Sequence, residues 1–180
     1  MDTTFKLRRL PQFAKLSLTG FVIALGFGYI TGLMYVDDTT ALSLKGIEEN
    51  YNGNSLANEP INDDTIIDWE DSLEMSEPMK FKKSKQELIT IIHTHVISFA
   101  LIFLSLSVLL YFTSTPLTLK KFLLIEPFIS IVLTFGGIWL LWLGIDWFKY
   151  IIMISGSFLT ISFISLCFFI LLELTKKNQS

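Results

Sequence analysis

The chain has 180 residues, of which 51% are hydrophobic and 16 are phenylalanine, and its formal net charge is −3. A mean hydropathy of +0.54 excludes an ordinary water-soluble globule, and without a basic surplus there is no footprint for nucleic acid. The charge is unevenly placed, since 13 of the 17 acidic residues lie between Asp37 and Glu87. Four apolar blocks are long enough to cross a bilayer, which takes about 20 residues each.

The first apolar block follows a basic N-terminal stretch and predicts a membrane span over residues 16–36. A basic start and an apolar centre are also typical of a signal peptide. We expect the block to be retained, because it has spanning length and no small-x-small cleavage site follows at residues 35–38. Small residues recur in it at every fourth position: Gly20, Ala24, Gly28 and Gly32. This stripe lets another backbone approach closely, so it predicts a helix-packing face.

The polar residues are concentrated in one loop, which we place over residues 37–88. Within it, residues 46–54 are bounded by glycines and predict a short helical turn, whereas residues 58–78 are acidic enough to favour irregular structure. The clustered carboxylates raise calcium binding as an alternative, but they lack the spacing of an EF-hand, and a solvated acidic loop fits better. From residue 79 to 88 lysines are interspersed with apolar residues, which predicts an amphipathic helix on the membrane surface.

Three further spans are predicted, over residues 91–112, 122–143 and 150–172. The second is stopped by Pro116, which disfavours helix in the residue before it. The third carries Glu126 and Pro127 in its first turn, where proline is tolerated and the carboxylate can reach interfacial lysines. The fourth contains Cys167, the only cysteine of the chain, as a small packing residue. The predicted fold class is therefore all-α, a four-helix transmembrane bundle with one extracytoplasmic polar loop.

The lysines and arginines set the expected orientation. Eight of them lie on the side that holds both chain termini, against six on the side of the polar loop. By the positive-inside rule both termini are then cytoplasmic, and several tryptophans and tyrosines form an aromatic belt at the outer boundary. The four lysines within residues 80–85 run against this rule.

Both histidines of the chain, His93 and His95, lie at the outer end of the second span. Glu87, Asp37 and Asp146 are expected at the same level, so these five residues form the candidate metal or proton site. Two residues apart on a helix, however, the histidines point about 200° away from each other and share one ion only if the helix unwinds. We expect His93 to face the bundle.

No cofactor is expected, and a metal ion or a haem is the alternative. A haem would need a second axial ligand from a methionine or from a dimer, because the chain has no third histidine. The plainer interpretation is that both rings bond to water, lipid headgroups or backbone at the interface. No charged residue is expected at mid-depth and no internal repeat is visible, which argues against an ion pump or a coupled transporter.

Residues 82–95, which begin Lys-Lys-Ser-Lys-Gln-Glu-Leu-Ile and end His-Thr-His, resemble a motif of small uncharacterised bacterial four-span inner-membrane proteins. In that family a Lys-Ser…Glu-Leu segment precedes a His-x-His at the start of the second span. Residues 45–53 and the Gly-Gly-Ile-Trp run at 136–139 are similar in kind. The resemblance implies a location in the bacterial inner membrane and makes Glu87, His93 and His95 the characteristic residues.

The function predicted from these features is that of a non-enzymatic accessory or assembly subunit of a bacterial membrane complex. Its partners are the lipid bilayer and, through the small-residue stripe, another membrane protein or a second copy of the chain. A redox component that binds a metal or a haem through His93 and His95 is the alternative, and a small transporter is the third.

Overall fold

The computed structural model describes residues 6–54 and 79–176. Within these two ranges the chain forms a short 3-10 turn and five α-helices, with no strand. We number the helices in chain order: α1 Gln12–Thr40, α2 Leu44–Asn52, α3 Lys85–Tyr111, α4 Leu117–Trp142 and α5 Phe148–Thr175. All except α2 are long and apolar enough to cross a membrane. The predicted fold class, an all-α bundle of four transmembrane helices, is confirmed.

All four spanning helices begin before the predicted spans, and α1 and α5 also end after them. The largest extension at a start is that of α3, which begins at Lys85 where the span was expected from residue 91. Helical hydrogen bonding continues through the polar interface, whereas an apolar run ends with the hydrocarbon. Charged residues such as Lys120 and Glu173 consequently lie inside helix termini.

Pro127 lies in the interior of α4 and not in a first turn, because α4 already begins at Leu117. The proline nitrogen cannot donate the usual helical bond to the carbonyl of Leu123, which favours a local bend. The same change of start places the neighbouring Glu126 deeper in the helix than the sequence indicated.

The surface helix predicted for residues 79–88 is wrong. Residues 79–84 have no helical structure, and α3 begins only after Ser84. The reason is that the segment pairs with the end of α2 instead: Asn54 N donates to Lys80 O (2.9 Å), and Lys83 N donates to Tyr51 O (3.1 Å). The predicted helical turn at residues 46–54 corresponds to α2, and the acidic residues 58–78 lie outside the described ranges.

The centre of the bundle is the pair α4–α5, against which α3 packs. Fully buried side chains from these three helices form the core, among them Leu106, Leu110, Leu141, Leu166 and Ile170. Helix α1 is peripheral: it contacts α2 and α5, and Val22 is its only deeply buried apolar side chain. The two ends of the described chain meet the turn between α3 and α4, since Leu7 N donates to Phe112 O (3.1 Å) and Lys15 Nζ to Lys176 O (2.9 Å).

A lysine from elsewhere in the chain binds carbonyl groups at the C-terminal end of each spanning helix. The four bonds run from Lys80 Nζ to Thr39 O of α1 (3.1 Å), from Lys120 Nζ to Tyr111 O of α3 (3.0 Å), from Lys82 Nζ to Trp142 O of α4 (2.9 Å) and from Lys15 Nζ to Lys176 O after α5 (2.9 Å). The last carbonyls of a helix lack helical donors and carry partial negative charge, so a cation there is stabilising. Two of these lysines come from the 80–85 cluster, which therefore has a structural role.

Replacing Lys82 by methionine should destabilise the α2 end of the bundle by about 1 kcal/mol. The change removes the bond to Trp142 O and the contact of the ammonium with the Trp142 ring, whose centroid is 5.0 Å away. Thermal unfolding in detergent, followed by circular dichroism, measures the effect. The matched control is Lys85→Met, an exposed lysine three residues on. An equal loss of stability in both variants would contradict the role given to Lys82.

Candidate functional site

The Glu87 side chain caps the N-terminus of α3. Ser84 N donates to Glu87 Oε2 (2.8 Å) while Glu87 N donates to Ser84 Oγ (3.2 Å), so the two residues form a capping box at the N-terminus of α3. This reciprocal pair satisfies two donors that a helix start would leave without partners. The Lys-Ser-Lys-Gln-Glu sequence is thus explained by local helix initiation.

The two histidines lie on different faces of α3, as helical geometry predicted. The His95 ring packs beside Phe135 of α4 (centroids 5.9 Å apart) and Phe99 (6.3 Å), and its Nδ1 is 2.8 Å from Ile91 O. His93 lines an apolar groove of about 290 Å³ between α3 and Trp139 of α4. Both side chains are exposed at the surface of the bundle, and each lies near an aromatic residue of α4: His93 shares its groove with Trp139, and His95 packs beside Phe135.

Asp37 and Asp146 are both exposed, near the end of α1 and in the turn before α5. Across residues 6–54 and 79–176 no group of three or more His, Cys, Asp and Glu side chains is placed so that it could hold a metal ion. The five residues predicted as a metal or proton site are therefore near one end of the bundle but do not converge on one point.

The α2 end of the bundle is closed by a small polar layer, which we call the α2 cap and define as α2 with residues 79–84. Three bonds tie it to the spanning helices: Lys149 Nζ to Glu48 Oε2 (2.6 Å), Asn52 Nδ2 to Leu141 O (2.9 Å) and Trp142 Nε1 to Lys83 O (2.8 Å). Within the cap, burial raises the pKa of the Tyr51 phenol to about 12. The cap contacts α1, α4 and α5.

An intramembrane carboxyl cluster was missed by the sequence reasoning. The hydroxyls of Ser130 on α4 and Ser162 on α5 donate to the two carboxyl oxygens of Glu126. Both serines are almost completely buried, at 4% and 1% exposure. The sequence placed Glu126 among interfacial lysines and expected no charged group at mid-depth, but Ser162 is the fifteenth of the 28 residues of α5.

Two features of the sequence could have revealed this cluster. Glu126, Ser130 and Thr134 recur at every fourth position and so share one face of α4. Ser155 and Ser162 are seven residues apart and share one face of α5. A single polar face on each of two adjacent apolar helices predicts that the two faces meet, because lipid offers polar groups no partner.

Comparison of the chain with known protein families gives one match. A family described as a transmembrane helical domain matches residues 41–180, a range that begins directly after α1 and takes in α2 to α5. No curated protein and no solved structure matches the chain significantly. The match covers well over half of the chain and agrees with the four apolar helices. The protein is a multi-pass membrane protein that belongs to Aq_1264_TM, a family of transmembrane helical domains.

Proposed function

We propose that the protein is an accessory or assembly subunit of a bacterial inner-membrane complex and that α1 docks against a transmembrane helix of another membrane protein. One observation carries the proposal: the stripe of Gly20, Ala24, Gly28 and Gly32 runs exposed along α1. At each of its three glycines, an added Cβ would meet nothing within 4 Å. The function requires no enzyme activity and no cofactor.

The position of α1 supports this role. At about 100° per residue, Gly20 and Ala24 lie on the far side of α1 from Val22 and Tyr29, which face the bundle, and the stripe then turns gradually towards that face at Gly28 and Gly32. The bundle therefore leaves this stripe exposed, and small residues are what membrane helix interfaces use, because they let a second backbone approach closely. The family match begins at residue 41 and does not include α1.

A cytoplasmic position of both termini fits the same proposal. The 3-10 turn at Leu7–Arg9 and the end of α5 lie at the same end of the bundle as the turn between α3 and α4. Of the eight basic residues that the positive-inside rule places in the cytoplasm, the seven within the described ranges lie at this end. Labelling of single introduced cysteines from one side of the membrane reports this orientation directly.

The test is a bulky residue on the stripe, Gly28→Leu, in the cell that makes the protein. We expect the protein to migrate with a larger complex on native gels of its own membranes, and Gly28→Leu to weaken that association at least about tenfold, or about 1.4 kcal/mol. The matched control is Ile30→Phe, which adds bulk at another exposed position of α1. The isolated variant should be at least as stable as the parent, because an added Cβ at residue 28 meets nothing within 4 Å and leucine favours helix over glycine.

Two outcomes would contradict the proposal. If the protein runs as a monomer in its own membranes, no partner exists. If a complex forms and Gly28→Leu leaves it unchanged, α1 is not the docking face. Dimers of the purified protein that disappear with Gly28→Leu would identify a second copy, instead of another protein, as the occupant.

A further inference from the structure

The Glu126 cluster lies in the middle of the membrane-spanning part of the bundle. Glu126 is the tenth and Ser130 the fourteenth of the 26 residues of α4, so the carboxyl stands between about 13 and 20 Å from the start of that helix. It meets Ser162 at the centre of α5. Ionisable groups at this depth are costly and rare, and they are usually retained for a function.

The surroundings of the carboxyl are polar, and within residues 6–54 and 79–176 no lysine or arginine forms an ion pair with its two oxygens. Each oxygen accepts from a serine hydroxyl, one from α4 and one from α5. Tyr29 of α1 is close enough for its phenol to interact electrostatically with Glu126, and its hydroxyl is 3.0 Å from Thr160 Oγ1. On the side of α3 the Tyr29 ring meets Phe99, which is apolar.

The local backbone sets this site apart from ordinary helix packing. Glu126 directly precedes Pro127, which interrupts the helical bonds of α4. Interrupted backbone in the membrane is tolerated where neighbouring helices or hydroxyl side chains supply other bonds. Here the proline directly follows the residue whose carboxyl bonds to Ser162 of α5, the helix with which α4 packs most extensively.

The number and kind of oxygen atoms in the Glu126 cluster determine which ion it can bind. One carboxylate and two hydroxyls provide too few oxygens for Ca²⁺, which takes six to eight, and fall short of the octahedron that Mg²⁺ needs. A carboxyl group that accepts two hydroxyl bonds can instead take up one proton and then donate to one of the same oxygens, without any change of packing. A proton is the ligand that fits the space and the charge.

We propose that Glu126, Ser130 and Ser162 form a proton-binding site at the middle of the membrane, in which the Glu126 carboxyl exchanges its proton with water. The site is separate from the docking face on α1 and does not depend on it. Hydroxyls continue from it along the α4–α5 interface to the pair Thr134–Ser155 (2.7 Å), about 12 Å further along α4. Beyond that pair the buried side chains of Ile138 and Ile152 close the interface, so the arrangement is a binding site and not an open channel.

Infrared difference spectroscopy of the whole protein in lipid vesicles tests the proposal. Between acid and alkaline buffer, we expect a carbonyl-stretching band of a protonated carboxyl group that is lost completely in Glu126→Gln. Glutamine keeps hydrogen-bonding groups for both serines, so this variant should fold, which circular dichroism verifies. Ser162→Ala should shift the frequency of the band, because that frequency responds to hydrogen bonds at the carboxyl.

The controls are Glu87→Gln and Asp146→Asn, carboxyl groups at the end of the bundle whose replacement should leave the band in place. If no band disappears in Glu126→Gln over the whole pH range in which the protein stays folded, Glu126 holds one protonation state throughout and the proposal is overturned. If the band is lost equally in a control variant, it belongs to another carboxyl group, and the proposal is overturned as well.

Discussion

Replacing Gly46 by alanine is expected to displace the α2 cap and to cost at least about 3 kcal/mol of stability at that end of the bundle. A Cβ at residue 46 would lie 1.9 Å from Thr40 O and 2.5 Å from Thr40 C. Both are backbone atoms at the end of α1, so the clash cannot be relieved by turning a side chain. Helix α2 would have to move and give up the Lys149–Glu48 ion pair.

Hydrogen–deuterium exchange of the α2 amides measures this effect locally, and thermal unfolding measures it globally. The matched control is Gly136→Ala, a helical glycine of α4 whose added Cβ would meet nothing within 4 Å. That substitution should be neutral or slightly stabilising, because alanine favours helix over glycine by up to about 1 kcal/mol. Unchanged protection of α2 in Gly46→Ala would show that the cap is not held by this close approach.

The second large effect is expected at the opposite end, where Glu173 is 2% exposed. Its carboxylate accepts from Ser114 Oγ (2.9 Å), in the turn between α3 and α4, and from Lys176 Nζ (3.0 Å). The double variant Ser114→Ala/Lys176→Met removes both of these side-chain bonds and leaves the carboxylate only the bond from the Ser114 backbone. We expect a loss on the order of 3 kcal/mol, because a buried charge that loses its partners keeps its desolvation cost.

A third substitution distinguishes the cost of the buried charge from a general loss of packing. Adding Glu173→Leu to the double variant removes the buried charge itself, so it should recover most of the lost stability. Lys121→Met, an exposed lysine near the same end, is the control and should change little. Thermal unfolding in one detergent compares all four proteins. A triple variant that is less stable than the double variant would refute the assignment.

The fold class could be predicted from the sequence because it depends on the length of apolar runs, and a bilayer fixes that length. The start of α4 could not, because the apolar run begins only after Lys120 and Lys121 while the helix begins at Leu117. That difference of five residues turned Pro127 from a first-turn proline into an interior one. It also moved Glu126 from the interface into the bundle.

The candidate site was predicted only in part, for a physical reason. Helical periodicity correctly separates His93 from His95, since it depends on residues of one helix. The meeting of Glu126 with Ser162 depends on the rotation of α4 against α5, and no local pattern encodes that rotation. The 80–85 lysines are similar: a sequence shows their charge but not that Lys80 and Lys82 reach carbonyls at the ends of α1 and α4.

The lysines bound at the helix ends impose an order on biogenesis. Lys82 is synthesised before the end of α4, to which it binds. Lys80, by contrast, is synthesised 41 residues after Thr39 at the end of α1, and translating those residues takes about 2–8 s. The bond from Lys15 to Lys176 joins residues 161 apart, so the oldest of these lysines binds beyond the newest helix. Until the ribosome has completed α5, α1 rests in lipid without its main partner in the bundle, which its apolar surface permits.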